Sequence, residues 1–151
     1  MTTTQRETLD RIAAAALSFV GTPFVHRGRK PGVALDCAGV VLCACWAAGV
    51  ELPDCIGYGP LPVPSVLMSE LADRAWLVHR DDAGPGDVLL FGSGATGRPM
   101  HFGILTAPTR FVHAHGTFGR TIEHGLTRRW AAHLHSIWRP LQPPVGVVEG
   151  N

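Results

Sequence analysis

Cys37 is the residue of this chain best placed for covalent chemistry. It follows Asp36 and opens the apolar run Ala38-Gly39-Val40-Val41-Leu42. An aspartate before such a run is a good helix N-cap, its carboxylate accepting a backbone amide two or three residues on. Cys37 then takes the first helical position, where unpaired amides and the helix dipole favour negative charge. A thiol held there is expected to have a lowered pKa and to be more often the thiolate that attacks carbonyls. The competing reading is a small buried hydrophobe, the commonest fate of a free cysteine.

A nucleophilic thiol needs a base, and the chain has eight histidines. His101 and His113 separate from the rest because of the turn between them. If 101 lies opposite 113, the hairpin is centred on Ala107, Gly103 faces Phe111, and both rings point to one side. That needs an odd-numbered loop or a bulge. A two-residue turn at Pro108-Thr109 would put the rings on opposite faces, since a one-residue slip inverts a strand. In the co-facial arrangement Cys37 attacks, His101 acts as base and then acid, and His113 orients the His101 ring. The plain alternatives are a His101 bonded to a backbone carbonyl and a His113 at a polar strand edge. His115 shares the parity of His113 and replaces it in a shifted register. His79, His124, His133 and His135 are expected at the surface.

A metal site would be the rival use of these residue types. Cys37, Cys43, Cys45 and Cys55 fit no short chelate spacing. On a helix, Cys37 and Cys45 lie about 12 Å apart along the axis, and Cys43 and Cys45 about 200° apart around it. No metal or other cofactor is expected, and Cys43 and Cys45 read as core filler beside Trp46.

The elements that must position these side chains follow from periodicity and turn chemistry. Residues 5–20 read as an amphipathic helix, with Thr4 and Glu7 at capping-box spacing and Gly21 as its stop. A second helix runs from Cys37 to about Ala48, ended by Gly49. Residues 52–64 form a proline-rich loop with Tyr58 as a plausible contact, and Ser65 starts a short helix through Asp73. Ala83 to Asp87 is a turn and Val88 to Phe91 a buried strand. Strands are expected at 101–106, 111–115, 117–123 and 134–138, with a helical turn at 126–132. Helices first and antiparallel strands after give an α+β fold, with the nucleophile on a helix and the bases on the sheet.

With 151 residues, 46% hydrophobic and 17% charged, the chain can bury a core as one domain over residues 1–140, with 141–151 as a loose tail. A net charge of +1 with both signs scattered speaks against nucleic acid. No run is long enough to insert in a membrane. Acids at Glu7 and Asp10 do not suit a secretion signal, so synthesis without a leader in a reducing bacterial cytoplasm is expected.

Five segments occur here in the order seen in the NlpC family of papain-like cell-wall cysteine peptidases. They are Gly21-Thr22-Pro23-Phe24, Asp36-Cys37-Ala38-Gly39, Pro85-Gly86-Asp87-Val88-Leu89-Leu90-Phe91, His101-Phe102-Gly103-Ile104 and Phe111-Val112-His113-Ala114. The resemblance covers roughly residues 8–140 and is closest to the short leaderless members of phage tails and gene transfer agents. It implies a papain-like α+β fold, helices on a mostly antiparallel sheet of about five strands, with Cys37, His101 and His113 as triad. It further implies hydrolysis of peptidoglycan stem peptides, often at the γ-D-glutamyl–diamino acid bond, and carriage by tail hub or baseplate proteins in a virion. Phe24 stands where many members have tyrosine, with His26 the nearest polar group, and Ala38 where many have serine. The alternative is therefore a catalytically weak or inactive tail-tip structural or adaptor protein of the same fold.

Overall fold

The computed structural model describes residues 1–54, 65–93 and 98–141. Tyr58, Cys55, most of the proline-rich loop and all of the expected tail but Leu141 lie outside them. The elements run α1 (Thr3–Ser18), β1 (Arg29–Lys30), β2 (Ala34–Leu35), α2 (Cys37–Ala47), α3 (Ser65–Arg74), β3 (Trp76–Leu77), β4 (Val88–Ser93), β5 (Arg98–Ala107), β6 (Arg110–His115), β7 (Arg120–Gly125), α4 (Arg128–Ala132) and β8 (Leu134–Arg139).

Helix α1 starts two residues before its expected box. Thr2 caps it by accepting from the Gln5 amide while Gln5 reaches back to the Thr2 amide, so the reciprocal pair is Thr2 and Gln5 rather than Thr4 and Glu7. Helix α2 is apolar all round, and every residue from Cys37 to Cys45 is buried. A helix with no polar face has to be covered on all sides. Here α1 packs against it, β5 and β6 form its floor, and Leu67 and Leu71 of α3 belong to the same buried cluster.

The main sheet has six strands in the order β3-β8-β4-β5-β6-β7, every neighbouring pair antiparallel. The expected count of about five omitted β3, whose two residues are too few to show a period. Alternation along each strand sorts the side chains into two layers. Val88, Leu90, Phe102, Ile104, Val112 and Ala114 face the helices. Leu89, Phe91, Leu105, Phe111 and Ile137 form a second layer on the other face, under Trp130 of α4. Because both faces are covered, the β4 sequence is continuously apolar instead of alternating. The Gly21 to Phe24 segment covers the β7 edge, with the Gly21 and Phe24 amides donating to the Thr121 and Gly119 carbonyls. Among the described residues no helix is long and apolar enough to cross a membrane.

The Pro85-Gly86-Asp87 segment has a structural task. Gly86 has φ +92°, and a Cβ there would lie 2.3 Å from the Leu9 carbonyl oxygen, so only glycine lets the turn close on α1. Asp87 is fully buried and held by both arms of Arg139 at 3.0 Å and by the Gly84 amide at 2.8 Å. This bidentate pair ties the start of β4 to the end of β8. Lysine at 139 keeps the charge but loses the fork. Arg139→Lys is expected to lower stability by about 2 kcal/mol, read as a shift in the urea midpoint at constant m-value.

Candidate active site

Cys37 is the first residue of α2, and Asp36 is its cap, as the local sequence indicated. The Asp36 carboxylate accepts from the Gly39 amide at 2.8 Å and, through its other oxygen, from the Arg27 amide at 2.9 Å. Arg29 adds a guanidinium contact at 2.8 Å and bridges onward to Asp54 at 3.1 Å. Arg27 adopts φ +64°, a left-handed conformation costly for a side-chain-bearing residue and one found where neighbouring contacts impose it. Gly39 is required by packing, since a Cβ there would lie 2.2 Å from the Gly28 carbonyl oxygen. The loop of residues 27–30 is thereby pressed onto the first turn of α2.

The thiol does not have the expected low pKa. Its side chain is 6% exposed, and burial, aided by the Asp36 charge, pushes it up to about 12. The Phe102 and Ala38 amides, which hydrogen-bond the sulfur, and the Arg29 charge oppose this only in part. Desolvation and the charge of the capping carboxylate outweigh what the helix start offers a thiolate. Alkylation of Cys37 by iodoacetamide is therefore expected to accelerate about tenfold per pH unit from pH 7 to 10. Peptide mass mapping reads this, and a plateau below pH 7 would contradict it.

His101 and His113 do share a face, although the register differs from the expected one. The ladder pairs Ile104 with Val112 and Leu105 with Phe111, so Gly103 does not stand opposite Phe111 and 101 is not opposite 113. The turn is the two-residue Pro108-Thr109, flanked by Ala107 and Arg110. A register shift between Leu105 and Ala107 restores the parity that this turn would have inverted. The His101 Nε2 and His113 Nδ1 atoms are 2.6 Å apart. Gly103 leaves room for the Phe111 ring, which a Cβ would approach to 2.9 Å and on which the His113 ring packs at 4.7 Å.

Both rings are neutral by environment. Burial, with the nearby His115, brings His101 down to about 3. Burial, with His101, His124 and His115 around it, brings His113 down to about 2. His115 lies on the same face as its parity indicated, 5.1 Å from the His101 ring, and its Nδ1 accepts from the Thr117 amide. Beside them is a cleft of about 440 Å³ lined by His115, Thr117, Phe118, Arg129, Trp130 and His133.

The Cys37 sulfur accepts from the Phe102 amide, while the neighbouring His101 side chain leaves the strand on the other face, with Phe91 and Trp130. Among the described residues no group of three or more His, Cys, Asp or Glu is arranged to hold a metal ion. Cys43 donates to the Arg29 carbonyl at 3.4 Å and Cys45 is fully buried in the core. His26 is exposed, and Phe24 packs against the core beside Gly116.

Two side chains at this face were not foreseen. His124 was expected at the surface, yet its Nε2 lies 2.8 Å from the His113 Nε2. Trp130 lies edge-on to the His113 ring, 4.9 Å between centroids. The signal for His124 was parity: once His113 pairs with Ile122, residue 124 shares the face of 122. Ending the strand at Glu123 concealed it.

An antiparallel sheet floored with paired histidines and a helix-start cysteine defines the papain-like class of fold. Residues 21–139 match the NlpC/P60 family. The chain belongs to that family, one of cysteine peptidases. A probable endopeptidase of Mycobacterium tuberculosis is 34% identical over 111 residues, 72% of this chain and 23% of that protein. The chain thus spans about a quarter of the length of the curated relatives it matches. A Staphylococcus aureus protein of the NLP/P60 family, described as similar to lipoprotein, superposes with a TM-score of 0.66 at 26% identity, over 91% of this chain and 42% of that one. The peptidoglycan hydrolase RipB of M. tuberculosis has the same fold, with a TM-score of 0.67 at 17% identity over 93% and 67%. So has the NlpC/p60 domain of the peptidoglycan hydrolase SagA, at 0.60 and 23% over 85% and 96%.

Proposed function

We propose that this chain is a cysteine endopeptidase that hydrolyses peptidoglycan stem peptides with Cys37, His101 and His113 as its triad. The observation that carries this reading is the hydrogen bond from His101 of β5 to His113 of β6, with the amide of the next β5 residue, Phe102, donating to the Cys37 sulfur. The resting pair is a neutral thiol and a neutral imidazole. In acylation the Sγ proton passes to His101 while sulfur adds to the amide carbonyl, and amides at the start of α2 hold the oxyanion. The C–N bond then breaks, and His101 protonates the leaving amine. Water, deprotonated by His101, cleaves the thioester and restores the thiol.

The substrate is the cell wall, and the bond is that between γ-D-glutamyl and the following diamino acid. Purified sacculi incubated with the protein should release soluble fragments carrying new α-amines on the diamino acid. Mass spectrometry identifies the bond, and intact sacculi at every pH tested would sink the proposal. The motif resemblance to tail-borne members supports delivery by a phage-like tail. Co-purification with tail hub proteins tests it.

One observation favours a second reading, an adaptor that keeps the fold without turnover: the thiol is buried and its pKa is high. Phe24 and Ala38 also bring no hydroxyl to the site. Under that reading the protein binds sacculi and leaves them undigested.

A further inference from the structure

The three rings His101, His113 and His124 form one hydrogen-bonded line that ends on a backbone carbonyl. The successive contacts are His101 Nε2 to His113 Nδ1 at 2.6 Å, His113 Nε2 to His124 Nε2 at 2.8 Å, and His124 Nδ1 to the Gly125 carbonyl at 3.0 Å. A carbonyl can only accept, so the end of the line fixes its polarity. His124 must carry its proton on Nδ1 to bond Gly125. In the neutral ring Nε2 is then a lone pair, and it accepts from the Nε2–H of His113. The Nδ1 of His113 is in turn a lone pair, and it accepts from the Nε2–H of His101. What remains at the far end is the Nδ1 of His101, unprotonated.

We propose that His124 is a positioning residue: with the Gly125 carbonyl it sets the tautomer of His113, and through it that of His101, so that His101 presents Nδ1 as the base. This rests on the reading of His101 as the base for Cys37. A single polar partner for His101 leaves the direction of the first bond open, because imidazole donates as readily as it accepts. The third ring removes that freedom. The middle of the line is shielded from water, while His101 and His124 at its two ends are half-buried. His113 is fully buried, Trp130 lies 4.9 Å from its ring, and Phe111 lies 4.7 Å from it and 4.6 Å from the ring of His124. Opposite Phe111 on the next strand, His124 is held by the β6–β7 ladder and by its own neighbour's carbonyl.

Long-range 1H–15N correlation spectra of the 15N-labelled protein at neutral pH test the proposal directly. Expected are a protonated Nε2 on His101 and His113 and a protonated Nδ1 on His124. A protonated Nδ1 on His101 or His113 overturns the proposal without any variant. His124→Phe keeps the ring contacts and removes the acceptor. It should mix the tautomers of His113 and His101 and slow sacculus digestion about tenfold. His124→Gln retains an acceptor and should restore both readouts. If His124→Phe folds and digests sacculi at the wild-type rate, the positioning role is wrong. If wild-type tautomers are as stated but His101→Ala still digests sacculi, the catalytic reading of His101 falls while the hydrogen-bonded line stands.

Discussion

Replacing Cys37 by alanine is expected to lower sacculus digestion by at least about 10³-fold while leaving the fold intact. In the proposed mechanism the Cys37 sulfur is the atom that becomes acylated, so no neighbour can substitute for it. Cys43 and Cys45 sit in the core further along α2, away from its first turn. Loss of one small side chain from a site 6% exposed should change stability by about 1 kcal/mol or less. The urea midpoint serves as control. His101→Ala is expected to be comparably inactive, and the double variant no worse than either single one, because the two groups act in one step. His113→Asn keeps an oxygen that can accept from His101 and should retain more activity than His113→Ala. Undiminished release by Cys37→Ala would remove the nucleophile assignment. Additive losses in the double variant would show that cysteine and histidine act in separate steps.

How much of this site was legible in the chain depends on the distance over which each feature is determined. The Asp36 cap and the position of Cys37 are local, set within three residues, and they stand as read. The co-facial parity of His101 and His113 was legible only as a condition, because one bulge decides it and bulges leave little trace in sequence. The register around that bulge differs by two residues from the expected one, a shift that preserves parity. His124 and Trp130 come from β7 and α4, and their place depends on a register and a short helix that only packing defines. The thiol's acidity is not legible in the chain for a related reason. Helix position is written in the chain, but desolvation depends on what the other elements cover. Arg29 is an intermediate case, becoming a partner of the cap only when Gly28 and Gly39 bring its loop down on α2.

Acidification is expected to destabilise the domain steeply through the same pair of rings. His101 and His113 have folded pKa values lowered from 6.5 to about 3 and about 2, chiefly by burial. Above the ordinary histidine pKa both states are neutral and nothing is lost. As pH falls below it, the unfolded chain takes up protons that the folded one excludes, so stability drops by about 1.4 kcal/mol per pH unit for each ring. At two units below the ordinary value the two rings together have removed about 5 kcal/mol, against a total of about 5–15 for a domain. The loss ends only as pH passes the folded values. His115, whose pKa is also lowered by burial, adds to it in the same direction. Urea titrations at pH 7, 6, 5 and 4.5 measure the slope, and His113→Asn should reduce it by about half in the upper part of that window. A midpoint constant down to pH 5 would mean that the rings accept protons in the folded state. A neutral line of histidines ending on a carbonyl would then be the wrong description of this face.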